Sequence, residues 1–407
     1  MAGSTIDHVV ATVIFLAALL IFVSLFNQMI QTAILYQRNR AIATKCSDLL
    51  DAILLNPGYP LNYKNDNVTP IEWGKLNIVP TFFGLQDPEF TEYRLSPFSL
   101  MRLLSSMGRE IYYSGTGHYY SNITMGFGSY LLVSSANTLN HTTVATLLGI
   151  NNTYSFQLVL TPLIEVSVTE SNKGNPLTLN VTVKGNEIPL ANASLSCMLI
   201  KVENGEVAPS YIIYLNNSYT DNQGSCVINF QNVNESESYA FIAYACYGGL
   251  VGVGYCQRIT AESHIIPLVE NIAESYVILA HSCDILGVGA SPLNYTAIFI
   301  VLNQDFSLRE VNIGEPYGEV DLGGYAVLKI PTFEPGILAV AYQQNDNKTG
   351  IVLTPWGVSS LGFPVVFGDD LSGETWVTTD IRQVLVGGVA YQTKLALWSL
   401  EGYGVMG

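Results

Sequence analysis

The chain is 407 residues long, 49% hydrophobic and 12% charged, with a formal net charge of −16. That length and apolar content exclude intrinsic disorder and imply roughly two to four domains. The acidic balance excludes a nucleic-acid partner, because the 17 basic residues form no row of cations able to neutralise phosphates.

The first element is apolar. Val9 to Phe26 is interrupted only by Thr12 and Ser24, a run long enough to cross a hydrocarbon core as a helix. No small-residue cut site follows, and the run continues into Asn27-Gln28-Met29-Ile30, so a retained membrane span is expected rather than a removed leader. From Ile30 to Leu55 there is neither Gly nor Pro, and Ile42, Cys46, Leu49, Leu50 and Ile53 recur at helical spacing before Asn56-Pro57-Gly58. The prediction is one continuous helix of about 50 residues, roughly 75 Å long, with its outer half packed on something. Residues 1–58 are assigned to it.

Ten N-x-[ST] sequons begin at Asn67, Asn122, Asn140, Asn151, Asn180, Asn192, Asn216, Asn234, Asn294 and Asn347, all after the apolar run. Their excess predicts a glycosylated face outside the cell. Arg38, Arg40 and Lys45 follow the span closely and, by the positive-inside rule alone, would put the body in the cytoplasm. The sequons and the expected disulfides outweigh those three charges, so the expected location is the cell membrane, single-pass, with an extracellular carboxy-terminal body.

An unbranched apolar helix that carries one acid near its start, Asp7, and runs into an amphipathic half resembles the type IV pilins and pilin-like proteins, here of an archaeal kind. The resemblance covers about the first 60 residues. It implies handling through a class III signal, and bundling of the helices of many copies into a filament core. In such a bundle Asp7 would be the assembly residue, neutralised by a neighbouring subunit.

Residues 59–162 read as a small α+β head. Ser96-Pro97 predicts a helix start, with Leu100, Leu103, Leu104 and Met107 as its apolar face and Gly108 as its close. Tyr154, Phe156, Leu158 and Leu160 alternate as a strand. The stretch GREIYYSGTGHYYSNITMGFG reads as a half-buried hairpin, with a tyrosine-rich binding loop as the sharper alternative.

From Leu163 the period is two. Leu177, Leu179, Val181 and Val183, then Leu195, Cys197 and Leu199, then Cys226, Ile228 and Phe230 after the Asp221-Asn222-Gln223-Gly224 turn, form inward rows. Residues 163–260 are expected to be a β-sandwich, similar to the Ig-like and carboxypeptidase-regulatory-like modules of microbial surfaces. Asp321-Leu322-Gly323-Gly324 before YAVLKI repeats that turn and strand, and SPLNYTAIFIV parallels NPLTLNVTV. Residues 261–407 are therefore a second sandwich with a carboxy-terminal extension that either completes it or docks on the head. The fold class expected is mainly β, with a long N-terminal α-helix, the small head and two tandem β-sandwich domains.

None of the six cysteines has metal spacing, and the five histidines are scattered, so no metal or cofactor is expected. Cys197, Cys226, Cys246 and Cys256 are disulfide candidates, paired 197 with 226 and 246 with 256. Cys46 and Cys283 read as buried thiols, although Cys46 on an assembling helix would also be placed to meet a neighbour. Gly357-Val358-Ser359-Ser360-Leu361-Gly362 misses the nucleophile-elbow spacing, and His281-Ser282-Cys283-Asp284 on a strand would point neighbours to opposite faces. Asp369, Asp370 and Glu374 read as a solvated turn, with calcium as the alternative. No catalytic residue is named and no enzyme is expected. The expected function is a membrane-anchored, extracellular structural protein, a pilin-like filament subunit or adhesin, with the membrane and copies of itself as partners. The alternative is a singly anchored module that binds a glycan or a surface-layer protein without assembling.

Overall fold

The computed structural model describes residues 2–58, 61–64, 67–70, 72–76, 78–89, 93–103, 110–124, 130–344, 348–371 and 377–400, with backbone alone at 2–6, 61–64, 67–70 and 122–124. The chain is mainly β, headed by one helix, Ala2–Leu54. The helix closes where the sequence places its stop: Gly58 has φ +69° and donates its N–H to Asn56 Oδ1 at 3.2 Å.

Two sheets enclose the first sandwich. Leu177–Gly185 lies between Ile164–Asn172 and Ser225–Phe230. Facing them, Ser194–Glu203 lies between Ser210–Tyr219 and Tyr239–Tyr247, which continues to Leu250–Arg258. The predicted rows meet between the sheets: Leu177, Leu179, Val181 and Val183 pack with Leu195, Cys197, Leu199, Cys226, Ile228 and Phe230. Asp221 forms the expected turn, its Oδ1 accepting from the N–H groups of Gln223 and Ser225. The backbones of Leu250–Arg258 and Ile164–Asn172 come close at Gly252 and Gly254, where an added Cβ would lie 2.5 Å from Ile164 O and 2.2 Å from Val166 O. No larger residue fits there without moving backbone.

The second sandwich repeats this topology strand for strand. Tyr276–His281 lies between Ile265–Asn271 and Tyr325–Lys329, as Leu177–Gly185 does in the first copy. Leu293–Leu302 pairs with Gly336–Gln343, which pairs with Thr349–Trp356. The repeated turns correspond as predicted, with Gly224 and Gly324 donating to Asp221 O and Asp321 O. One part of the sequence alignment is corrected. SPLNYTAIFIV occupies the place of SLSCMLIKVE, and it is YVILAH that matches NPLTLNVTV. Both of the misaligned segments alternate apolar residues, so local pattern favoured the wrong neighbour over the pairing partner.

Head and tail interleave with the sandwiches. The carboxy-terminal extension does both things expected of it: its first strand, Thr349–Trp356, completes the second sandwich, and its later strands dock on the head, where Tyr154–Pro162 lies between Val365–Gly368 and Val389–Ser399. Val389–Ser399 also pairs with Thr378–Val386 and meets Leu250–Arg258 in parallel at Val251 and Val389. On the opposite side, Tyr130–Ser134 joins the second sandwich through Val133 and Val269. The Ser194–Glu203 strand is consequently buried on both faces, with Leu195, Cys197 and Leu199 in the first core and Met198, Ile200 and Val202 in a larger core shared with head, tail and second sandwich.

The head helix is shorter than predicted, spanning Pro97–Met101. Ser96 Oγ caps it by accepting from Ser99 N at 3.0 Å, and Leu100 and Leu103 are buried. Leu104, Met107 and Gly108 lie outside the described residues.

Candidate functional site: the helix and its seat

The N-terminal helix has two physically distinct halves. From Val9 to Gln37 it carries no charged side chain, and eighteen large apolar residues between Val9 and Tyr36 stand exposed. No residue of its apolar stretch is buried. Val9 to Tyr36 spans about 42 Å along the axis, more than the roughly 30 Å of a hydrocarbon core. Asp7 is exposed near the start of the helix.

The lower half is seated. Ile42, Cys46, Leu49, Leu50, Ile53 and Leu54 are buried, the stripe the spacing predicts. It packs on Thr378–Val386 and Val389–Ser399. The thiol of Cys46 sits 3.7 Å from Thr378 O and 3.6 Å from Leu395 O. Cys46 is 0% exposed, the buried thiol the sequence reading expects, and the alternative of its meeting a neighbouring helix does not fit that burial. Arg382 fixes the rotation of the helix on its seat. Its guanidinium donates to Asp51 Oδ1 at 3.2 Å, Ser47 Oγ at 3.0 Å and Asp380 Oδ1 at 2.6 Å. Bonding to Asp380, then the charges of Asp380 and Asp51, hold that guanidinium firmly charged.

The four clustered cysteines are free thiols. Cys246 pairs opposite Val251 and Cys256 opposite Phe241, so five residues of strand, about 17 Å, separate them. No disulfide spans that distance, and the expected 246–256 pair is corrected. Cys197 and Cys226 share one core without a bond between them. The Cys226 thiol lies 3.1 Å from Ser218 Oγ.

Of the sequon asparagines whose side chains are described, Asn140, Asn151, Asn192 and Asn234 are exposed, and Asn180, Asn216 and Asn294 are half-buried. Asn140 also caps a short helix, accepting from Thr143 N at 2.8 Å. The Asn67 and Asn122 side chains and all of Asn347 lie outside the described residues.

In the tyrosine-rich segment, Tyr113 and Tyr120 are fully buried while their strand neighbours Tyr112 and Tyr119 are half exposed. These two form a cross-strand pair with ring centroids 5.0 Å apart. His118 Nδ1 lies 2.6 Å from Glu270 Oε1, and Tyr120 donates its hydroxyl to the other carboxylate oxygen. The half-buried hairpin is therefore present, with its outer tyrosines available as a platform.

One constellation was not visible in the sequence. Ser155, His141 and Asp369 converge, with Ser155 Oγ donating to the Asp369 carboxylate and lying 3.4 Å from His141 Nε2. These are the residue types of a hydrolytic triad in a different connectivity. The Asp369 carboxylate lies 3.4 Å from His141 Nδ1 with one oxygen, but its other oxygen takes the serine proton directly instead of leaving it to the imidazole, and Ser155 is 1% exposed. The arrangement anchors the end of Val365–Gly368 to Tyr154–Pro162. Glu374, the third member of the acidic group, lies outside the described residues. Among the described residues no group of three or more metal-ligating side chains assembles. His281-Ser282-Cys283-Asp284 turns out to begin a short helix, Ser282–Leu286. There His281 Nδ1 accepts from Cys283 N at 3.0 Å, and the Nε2 proton goes to Ser291 O.

No family model matches the chain, and no curated protein does. Among solved structures, the D0-D1 domain of intimin aligns with 51% of this chain and 98% of its own at 13% identity, with a TM-score of 0.21. A trypsin-activated α2-macroglobulin from Escherichia coli aligns with 65% of this chain but only 20% of its own length, at 12% identity and a TM-score of 0.22. A bacterial ice-binding adhesin aligns over 54% and 69% at 12% identity, with a TM-score of 0.16. Scores this low describe local strand arrangements and not a common architecture.

Proposed function

We propose that the chain is an extracellular surface protein held by its N-terminal helix, and that the helices of many copies pack together as the core of a pilin-like filament. The observation that carries this reading is the division of the helix: its lower half is locked to the body, while its upper half exposes eighteen large apolar side chains. Each such side chain gains about 1.5–3 kcal/mol on leaving water, so the upper half requires a bilayer or a bundle of like helices. The length beyond one hydrocarbon thickness suits the bundle, whereas a single span would have to tilt to bury it. The seat suits a filament as well, since Arg382 and the buried stripe transmit load from helix to body.

Asp7 is the test. An acid within a helix bundle persists only with a neutralising partner, whereas at a membrane surface its charge contributes little. Asp7→Ala is expected to abolish or slow the appearance of filaments in electron micrographs of cell-surface material, with membrane insertion and body folding intact. Normal assembly of the variant, or a wild type that never assembles, transfers the reading to a singly anchored binding module. The exposed Tyr112–Tyr119 pair is the feature that favours that second reading, with a glycan or a surface-layer protein as its ligand.

A further inference from the structure

The strand Ser210–Tyr219 ends the largest sheet. It pairs with Ser194–Glu203 through ten consecutive residues without a bulge, and among the described residues no strand pairs with its outer edge. Such an edge presents a row of unpaired N–H and C=O groups. Folded proteins usually blunt it with charge, proline, a bulge or shortness. The sequence SYIIYLNNSY has none of these devices, and Ile212, Leu215 and Tyr219 are 38%, 63% and 69% exposed. The second sandwich shows the guarded version of the same edge. There the strand is broken into Leu308–Val311 and Tyr317–Val320, four residues each, carrying Arg309, Glu310 and Glu319.

We propose that the Ser210–Tyr219 edge pairs antiparallel, about a two-fold axis, with the same edge of a second copy of this chain. An extended backbone is what an open edge binds, through the main-chain hydrogen bonds it lacks. Opposed residues of an antiparallel pair point to the same face, so two-fold pairing sets one residue against itself. Centred on Leu215, it places Leu215 against Leu215, Ile213 against Asn217 and Tyr211 against Tyr219. Charge selects this occupant. Copies of a chain with net charge −16 repel at most surfaces, and a charged edge strand would meet its own charge across the axis. This edge carries no charge, so two copies can join along it without that penalty. The contact is separate from the helix bundle and needs neither Asp7 nor the apolar half of the helix.

The test uses the full chain in detergent, produced without N-linked sugar because Asn216 opens a sequon on this strand. Leu215→Cys is expected to give a disulfide-linked dimer under mild oxidation. The wild type and Val227→Cys, which places an equally exposed thiol on another uncharged edge strand, are expected to stay unlinked. Leu215→Lys opposes two ammonium groups across the axis. It is expected to remove the edge-paired dimer seen by native mass spectrometry while leaving the circular dichroism of the body unchanged. Association through the N-terminal helix survives Leu215→Lys, so failure of the edge contact and failure of the filament reading are distinguishable. A Leu215→Cys chain that links no faster than Val227→Cys, or a Leu215→Lys chain that associates like wild type, overturns the proposal.

Discussion

The two sandwiches share one order of strands and differ in where their cores end. The first encloses a small core of its own between Leu177–Gly185 and Ser194–Glu203. It holds four of the six cysteines and no histidine. The second opens into a core that runs without interruption through head, tail and helix seat, and it holds His264 and His281, both buried. Duplicating a topology therefore did not duplicate a stability unit. The outer sheet of the first copy is expected to open locally, and a defect in the second to reach every layer it joins.

The largest test compares two truncations. Phe299 is fully buried in the shared core and Leu179 in the private one. Phe299→Ala is expected to cost about 3–5 kcal/mol and Leu179→Ala about 2–5 kcal/mol. Phe299→Ala should lower the thermal transition of the whole body. Leu179→Ala should reduce hydrogen-exchange protection chiefly between 164 and 230. Equal loss of protection in both sandwiches after Leu179→Ala would mean that the cores are one unit.

Acid offers a medium-sized contrast. His264 lies 2.9 Å from Tyr342 Oη, and burial, with His281 beside it, lowers its pKa below the ordinary 6.5. The unfolded chain therefore binds the proton more readily than the folded one. The stability this gives is fully present above about 6.5 and is lost as pH falls through the lowered folded value. Thermal melts between pH 7 and 5 should show the second sandwich weakening, with the loss reduced in His264→Gln. A first sandwich that weakens equally in this window would assign the effect elsewhere.

The smallest expected effect is that of reductant. With Cys197 and Cys226 as neighbouring thiols, and the Cys197 thiol pushed up to about 12 by burial, the denatured but unreduced chain should titrate six thiols. Reducing agent should then leave the melting temperature where it was. Fewer than six thiols would mean that the first sandwich carries a covalent staple the second lacks.

Elements dominated by local periodicity were legible in the sequence. The helical stripe from Ile42 to Ile53, the row from Leu177 to Val183 and the turn at Asp221 all follow from spacing alone. The second buried face of Ser194–Glu203 was visible only as an apolar run, SLSCMLI, whose even and odd positions serve different cores. Junctions such as Val251 with Val389 and Val133 with Val269 leave no local mark, because pairing between distant residues is encoded in neither strand separately. For the same reason Ser155, His141 and Asp369 were unreadable as a group. Their meeting requires the tail to lie beside the head. Asp7 and the apolar run, by contrast, are wholly local, and the helix was the most legible part of the candidate site.

The seat of the helix also sets an order of events. Cys46 touches Leu395 across 349 residues of chain, and Arg382 reaches back to Asp51, so the helix rests on strands made long after it. During synthesis the apolar half emerges long before its companion half has anything to pack against. The nascent chain must hold Ile42, Leu49, Leu50 and Ile53 unsatisfied until the final hairpin, Thr378–Val386 with Val389–Ser399, has been translated and folded. A chain truncated before residue 378 would keep its helix and lose the surface that couples it to the body.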